Sequence, residues 1–196
     1  MLYTSYKPFM KNYTLIKLII FLLPITFWGQ NDLISESTKD TEIFISELRT
    51  MKIDTILVYK EYCTGCEITS ITKEPMYEEG FLNTHIIWLK KGKAFAKKFS
   101  YPNIDEKENQ ININDILNFF YEHKKQFNSR KEYFKKHQFL PPNPVHDYYE
   151  ELTIMTQNDK TLITLSKNQK TKDLWLKFSW IPPSKKIMEL IRNELN

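Results

Sequence analysis

The sequence is poor in glycine, which makes up four of its 196 residues. The loops G-x-x-x-x-G-K-[ST] and G-x-G-x-x-G, which bind nucleotide phosphates through backbone amides, do not occur in it. The commonest nucleotide-binding classes are therefore excluded. An apolar content of 41% and an aromatic content of 14% are nevertheless sufficient for a packed core.

Residues that hold metals or act as nucleophiles are also few. The chain has two cysteines, and its four histidines are too scattered to form an H-x-x-x-H pair. A structural zinc ion usually takes four cysteine or histidine ligands, so we predict no metal site and no cofactor. His146-Asp147 could orient a catalytic imidazole, but the G-x-S-x-G motif that would mark a serine nucleophile is missing. We therefore assign His146 and Asp147 to a loop.

The first thirty residues differ in composition from the rest. Three lysines and no acidic residue precede the apolar run LIIFLLPITFW, residues 18–28. This layout is typical of a secretory signal peptide, whereas a membrane-spanning helix needs about 20 apolar residues. We predict a signal peptide over residues 1–30, with Met10 as an alternative start, and a periplasmic or secreted protein. Because bulky Phe27 lies just before a cut after Gly29, retention of the segment as an anchor stays open.

The formal net charge of +4 says little about partners. Residues 1–30 hold three of the 28 basic residues and none of the 24 acidic ones, so the remaining chain carries a charge of +1. A nearly neutral chain gives no electrostatic reason to expect nucleic acid binding, and we predict none. The expected partner is an unidentified component of the cell envelope or the extracellular space.

Hydrophobic periodicity predicts several helices after a polar linker over residues 31–39. The first helix is expected over residues 41–51, and a strand over residues 53–59 follows it. Each predicted helix begins after a residue that favours an N-cap. These caps are Asp40, Asn114, Ser129 and Ser184.

Two pairs of strand-like runs are typical of β-hairpins. Residues 85–89 and 94–99 flank a turn that contains glycine, and residues 152–156 and 161–165 flank a polar turn. Residues 174–180 alternate between two sets of side chains, which predicts a half-buried strand. We therefore predict one α+β domain over residues 40–196, with an antiparallel sheet and helices packed mainly on one face.

The stretch EYCTGCEITS holds both cysteines, Cys63 and Cys66, in the spacing C-x-x-C. It follows a predicted strand, and residues 55–66 resemble the thioredoxin superfamily in these respects. The resemblance implies a thiol–disulfide oxidoreductase in which Cys63 attacks and Cys66 resolves. A low thiol pKa depends partly on a following helix, whereas the β-branched residues after Cys66 disfavour one. We therefore favour the alternative, in which the two cysteines form a short-range structural disulfide or are thiols without a special role.

Two further features are candidates for binding. Residues 123–137 interleave basic and aromatic residues, and Lys131 and Lys135 are our candidate contacts for an anionic partner, although a solvated helix face would have the same pattern. Trp175 lies opposite Trp180 on the predicted strand. We expect Trp175 at the surface, with Trp88 and Trp180 in the core.

No convergent set of polar residues marks an active site in the sequence. We therefore expect a small exported binding or accessory protein without catalytic activity. The thiol–disulfide oxidoreductase that uses Cys63 and Cys66 is the alternative.

Overall fold

The computed structural model describes residues 31–64, 82–100, 107–136, 141 and 147–196. The predicted signal peptide, Cys66 and His146 lie outside the described residues. The helices are α1 (Asn31–Thr50), α2 (Asn114–Lys136), α3 (Lys167–Thr171), α4 (Asp173–Leu176) and α5 (Ile181–Leu195). The strands are β1 (Ile56–Thr64), β2 (Leu82–Lys90), β3 (Lys93–Ser100), β4 (Asn109–Ile111), β5 (Asp147–Met155) and β6 (Lys160–Ser166).

The six strands form one antiparallel sheet in the order β4-β3-β2-β1-β5-β6. β1 pairs with β2 along one side and with β5 along the other. Two hairpins, β2–β3 and β5–β6, extend the sheet on either side of β1. Both predicted hairpins and the predicted α+β fold are confirmed.

The turn of the β2–β3 hairpin consists of Lys91 and Gly92. Both residues have positive φ, 51° and 76°. Two-residue turns of this kind match the right-handed twist of the flanking strands and favour glycine. Glycine at position 92 therefore explains where the chain reverses.

Four helices cover one face of the sheet, which we call the four-helix face. Along β1 and β5 every second residue points to it, as Leu57 and Leu152 do. These side chains pack against Phe120 from α2, Trp175 from α4 and Ile187 from α5. The larger of the two cores lies here.

A single helix, α1, packs on the opposite face, which we call the α1 face. Leu48 of α1 is buried with Ile56, Ile86 and Trp88 of the sheet. Phe44 meets the Trp88 ring edge-on at a centroid distance of 5.3 Å. Helices therefore lie mainly, but not wholly, on one face, as the sequence predicts.

The predicted strand over residues 174–180 is wrong. At every third residue of this stretch, the backbone N–H donates to the carbonyl three residues earlier, as in tight helical turns; these donors are Trp175, Phe178 and Ile181. The short helix α4 lies within the same stretch. Trp175, Phe178 and Trp180 are buried as a result, while Leu174 and Leu176 are exposed. Alternation over a few residues does not distinguish a strand from tight helical turns.

Three predicted helix boundaries also differ from the structure. Residues 31–39 are helical rather than a linker, since α1 begins at Asn31. A polar stretch without glycine or proline permits either state. α2 continues through Ser129, whose Oγ donates to the carbonyl of Gln126 at 2.6 Å and caps no new helix. α5 begins at Ile181, because proline is tolerated in the first turn of a helix.

Candidate functional site

A fully buried carboxylate lies on the four-helix face. Glu150 of β5 has no exposed surface, and a buried charge is costly unless it is paired. Lys170 from α3 contacts Oε2, and Arg192 from α5 places Nε 3.2 Å from Oε1. Tyr59 from β1 donates its hydroxyl to Oε1 at 2.8 Å. Glu150 thus joins two strands to two helices.

Local sequence positions the lysine of this network. Ser166 and Gln169 form a capping box in which each backbone N–H donates to the other side chain, at 3.0 and 3.2 Å. Such a box starts a helix abruptly, so α3 follows β6 without a loop. Lys170 comes next in α3 and reaches the carboxylate of Glu150.

Two phenols on the same face are held in their protonated form. Burial, and then the charge of Glu150, raises the pKa of Tyr59 far above its usual value. The Tyr59 hydroxyl also lies 2.9 Å from Oε1 of Glu61. Burial and Glu61 likewise raise the pKa of Tyr148 well above its usual range. Both hydroxyls are therefore hydrogen-bond donors at neutral pH and not proton acceptors for a reaction.

Cys63 lies inside β1, opposite Tyr148 of β5, and is half-buried. Alternation along the strand places it on the four-helix face with Tyr59 and Glu61. A redox-active cysteine gains a low thiol pKa from the N-terminus of a helix, whereas Cys63 is part of a paired strand. Because Cys66 lies outside the described residues, the disulfide between the two cysteines stays a prediction.

Two tyrosines stack on the α1 face, at the end of the sheet away from the α1 core. The rings of Tyr62 and Tyr149 lie 5.4 Å apart with an interplanar angle of 13°. Both are half-buried, and so is Glu151 on the same face. We call Tyr62, Tyr149, Glu151 and Arg130 the tyrosine patch.

Arg130 reaches this patch from α2 across the edge strand. Its Nη1 donates to the carbonyl of Thr164 at 3.3 Å. Burial lowers the pKa of Arg130, while Tyr62 and Glu151 oppose that shift. Burial, and then Glu151, raises the pKa of Tyr62. The patch therefore combines a flat aromatic surface with one positive and one negative group.

The residues predicted to bind have different outcomes. Trp175 is 1% exposed, in van der Waals contact with the core, so the prediction that it lies at the surface is wrong. Trp88 and Trp180 are buried, as predicted. Lys131 and Lys135 belong to α2, but their side chains lie outside the description, and their role stays a prediction.

The tyrosine patch was not predicted from the sequence. The run Tyr148-Tyr149-Glu150-Glu151 carries a signal, because strand alternation sends Tyr148 and Glu150 to one face and Tyr149 and Glu151 to the other. Which of these faces is enclosed depends on α3 and α5, which lie beyond residue 166.

No protein-family model, curated protein or solved structure matches this chain. Within the described ranges, no helix has the length and apolar character needed to cross a membrane. The same residues bring together no group of three histidine, cysteine, aspartate or glutamate side chains suited to a metal ion.

Proposed function

We propose that the protein is an exported, non-catalytic binding or accessory module of the cell envelope or the extracellular space. The observation that carries this proposal is the enclosure of Glu150, whose two oxygens are occupied by Lys170, Arg192 and Tyr59. A carboxylate paired with internal cations and removed from solvent cannot reach a substrate. The charged network around Glu150 therefore stabilises the fold, and we assign the binding function to an exposed surface instead.

The tyrosine patch is the surface to which we assign binding. Tyrosine and arginine are enriched among the residues that dominate binding energy at interfaces. Tyrosine combines a large rigid ring with a polar tip at low conformational cost. In Tyr62 and Tyr149 two such rings are already stacked, so little side-chain entropy is lost when a partner covers them.

A thiol–disulfide oxidoreductase remains the rival proposal, and the position of Cys63 does not favour it. Every strand pair among the described residues is antiparallel. The β-α-β unit that accompanies redox C-x-x-C motifs needs parallel strands. The redox alternative thus lacks both the helix at Cys63 and the accompanying sheet topology within the described part.

The binding proposal is tested by site-specific cross-linking in cells that produce the full chain. A photo-reactive phenylalanine derivative is placed at Tyr149 or, as a control, at Tyr121, which is 55% exposed on α2. We expect a discrete adduct from position 149 that disappears when Tyr62→Ala is added, and none from position 121. Equal adducts from both positions, or none from position 149, would exclude the patch as the binding surface.

A further inference from the structure

A cluster of lysines lies at the end of the sheet opposite the tyrosine patch. Lys52 follows α1, and Lys90, Lys91 and Lys93 surround the turn of the β2–β3 hairpin. Met51, Lys52, Lys90 and Lys91 line one shallow cleft, so the two segments are neighbours in space. We call Met51, Lys52, Lys90, Lys91 and Lys93 the lysine end.

Two of these lysines occupy backbone positions that disfavour them. Lys52 has φ of 60° and Lys91 has φ of 51°, and no other non-glycine residue described has positive φ. Glycine and asparagine are the residues that favour such conformations, at the C-terminal end of a helix and in a two-residue hairpin turn respectively. Local preference therefore does not explain lysine at either position. Sites where a residue conflicts with local preference are commonly functional, and here both conflicts place a positive charge at the same end.

The charges at this end are exposed. Lys52, Lys90, Lys91 and Lys93 are all open to solvent. None of the four forms an ion pair with another residue in the described part of the chain. The whole stretch from Leu82 to Ser100 contains no acidic residue. Nearby Glu47 and Asp54 offset part of the charge, while Arg49 adds to it and donates to two backbone carbonyls.

Apolar side chains protrude among these charges. Met51 is 52% exposed and Ile43, two turns earlier in α1, is 48% exposed. Both line a second shallow cleft that adjoins the first at Met51. Exposed apolar groups beside lysines are the combination that binds at the boundary between the headgroups and acyl chains of an anionic membrane.

We infer that the lysine end binds the surface of an anionic lipid bilayer. The four lysines pair with lipid phosphates, and Met51 inserts at the level of the headgroups. A polyanion without an apolar layer would satisfy the lysines but leave Met51 and Ile43 in water, so the bilayer fits both features. This inference does not depend on which partner the tyrosine patch binds.

The test measures partition of the full chain onto vesicles of phosphatidylcholine alone and of phosphatidylcholine with roughly one third phosphatidylglycerol. The key variant is Lys52→Asn with Lys91→Asn, because asparagine suits both left-handed positions and removes the charge. Each lysine near an anionic surface contributes roughly fivefold to partition. We therefore expect the double variant to lose about 25-fold in partition onto anionic vesicles, with a melting temperature equal to or above that of the unchanged protein.

A matched control removes two lysines from the other end of the sheet, Lys167→Asn with Lys172→Asn, both of them exposed. All variants retain residues 1–30, so any membrane affinity of that segment is the same in each. We expect the control to bind anionic vesicles as the unchanged protein does. An equal loss in the two double variants, or no preference for anionic over zwitterionic vesicles, would overturn the inference.

A second variant distinguishes a bilayer from another polyanion. Met51→Gln keeps every charge, so we expect it to weaken vesicle partition severalfold while leaving retention on a heparin column unchanged. The bilayer is excluded if Met51→Gln binds vesicles normally and the lysine double variant loses retention on heparin but keeps its partition onto vesicles. The ligand is then an anionic polysaccharide.

Discussion

The hydroxyl of Tyr59 lies 2.8 Å from a carboxylate oxygen of Glu150, although 91 residues separate the two along the chain. The bond runs between the central strand β1 and its neighbour β5. Lys170 and Arg192 approach the same carboxylate from the helices above. One buried anion therefore connects strands β1 and β5 to helices α3 and α5.

Replacement of Glu150 should strongly lower the free energy of unfolding. Glu150→Gln keeps the shape of the side chain but leaves Lys170 and Arg192 without their counter-charge. Breaking a buried ion pair typically costs 3–5 kcal/mol. We expect a loss near the lower end, about 3 kcal/mol in the free energy of unfolding, since both cations keep some contact with water.

Chemical denaturation measures this loss, with Glu189→Gln as the control. Glu189 pairs with Lys186 at 3.4 Å on an exposed face of α5. Such a pair contributes about 0.5 kcal/mol or less. A similar small effect of Glu150→Gln would show that Glu150 is not enclosed as described.

Alkaline pH should destabilise the protein through Tyr59. The raised pKa means that the folded state keeps the phenolic proton above pH 10.0, the ordinary pKa of tyrosine. The unfolded state releases this proton, so the free energy of unfolding falls as the pH rises above that value, by about 1.4 kcal/mol per pH unit for each such phenol. Tyr59→Phe has no phenolic proton at this position, so its unfolding releases one proton fewer at high pH. We expect a shallower decline in the variant above pH 10, and parallel curves would contradict the burial of this hydroxyl.

Mild acid should act through His85, whose ring faces Tyr59 on the four-helix face at a centroid distance of 6.4 Å. Burial, and then the charge of Lys98, lowers the pKa of His85, while Glu61 opposes the shift. The unfolded chain binds a proton near pH 6.5 that the folded chain binds only at lower pH. The free energy of unfolding therefore falls as the pH drops below 6.5.

Thermal melting between about pH 7 and pH 5.5 tests this linkage. We expect His85→Gln to lose less stability over this interval than the unchanged protein. If both proteins lose the same amount, another group accounts for the acid sensitivity.

The cysteine pair should behave as a structural disulfide. Cys63 lies in a paired strand and not in the first turn of a helix, the position that lowers the pKa of reactive thiols. After equilibration in glutathione buffers of graded potential, we expect Cys63 and Cys66 to remain oxidised below about −300 mV. Half-reduction within roughly −120 to −270 mV, the range of thiol oxidoreductases, would instead favour the redox proposal. In that case Cys63→Ser should abolish disulfide exchange with a model substrate.

The features that the sequence predicts correctly depend on neighbours in the chain. The two hairpins follow from alternating runs around turn residues, and Gly92 explains the tighter turn, because hairpin geometry is set within a few residues. Trp88 and Trp180 are large enough to be enclosed in most packed arrangements. The strand predicted over residues 174–180 is wrong because five bulky apolar residues in seven positions are compatible with more than one backbone period.

The sequence by itself therefore determined the two antiparallel hairpins and the burial of Trp88 and Trp180. Only the tertiary structure decided that Glu150 is buried while Glu151, its neighbour, is half-exposed beside stacked tyrosines. Alternation assigns these two residues to opposite faces, but the face that is sealed depends on Lys170 and Arg192, which arrive from later in the chain. Burial of a charge depends on residues far apart in the chain, because a buried charge is stable only when such residues fold against it and pair with it.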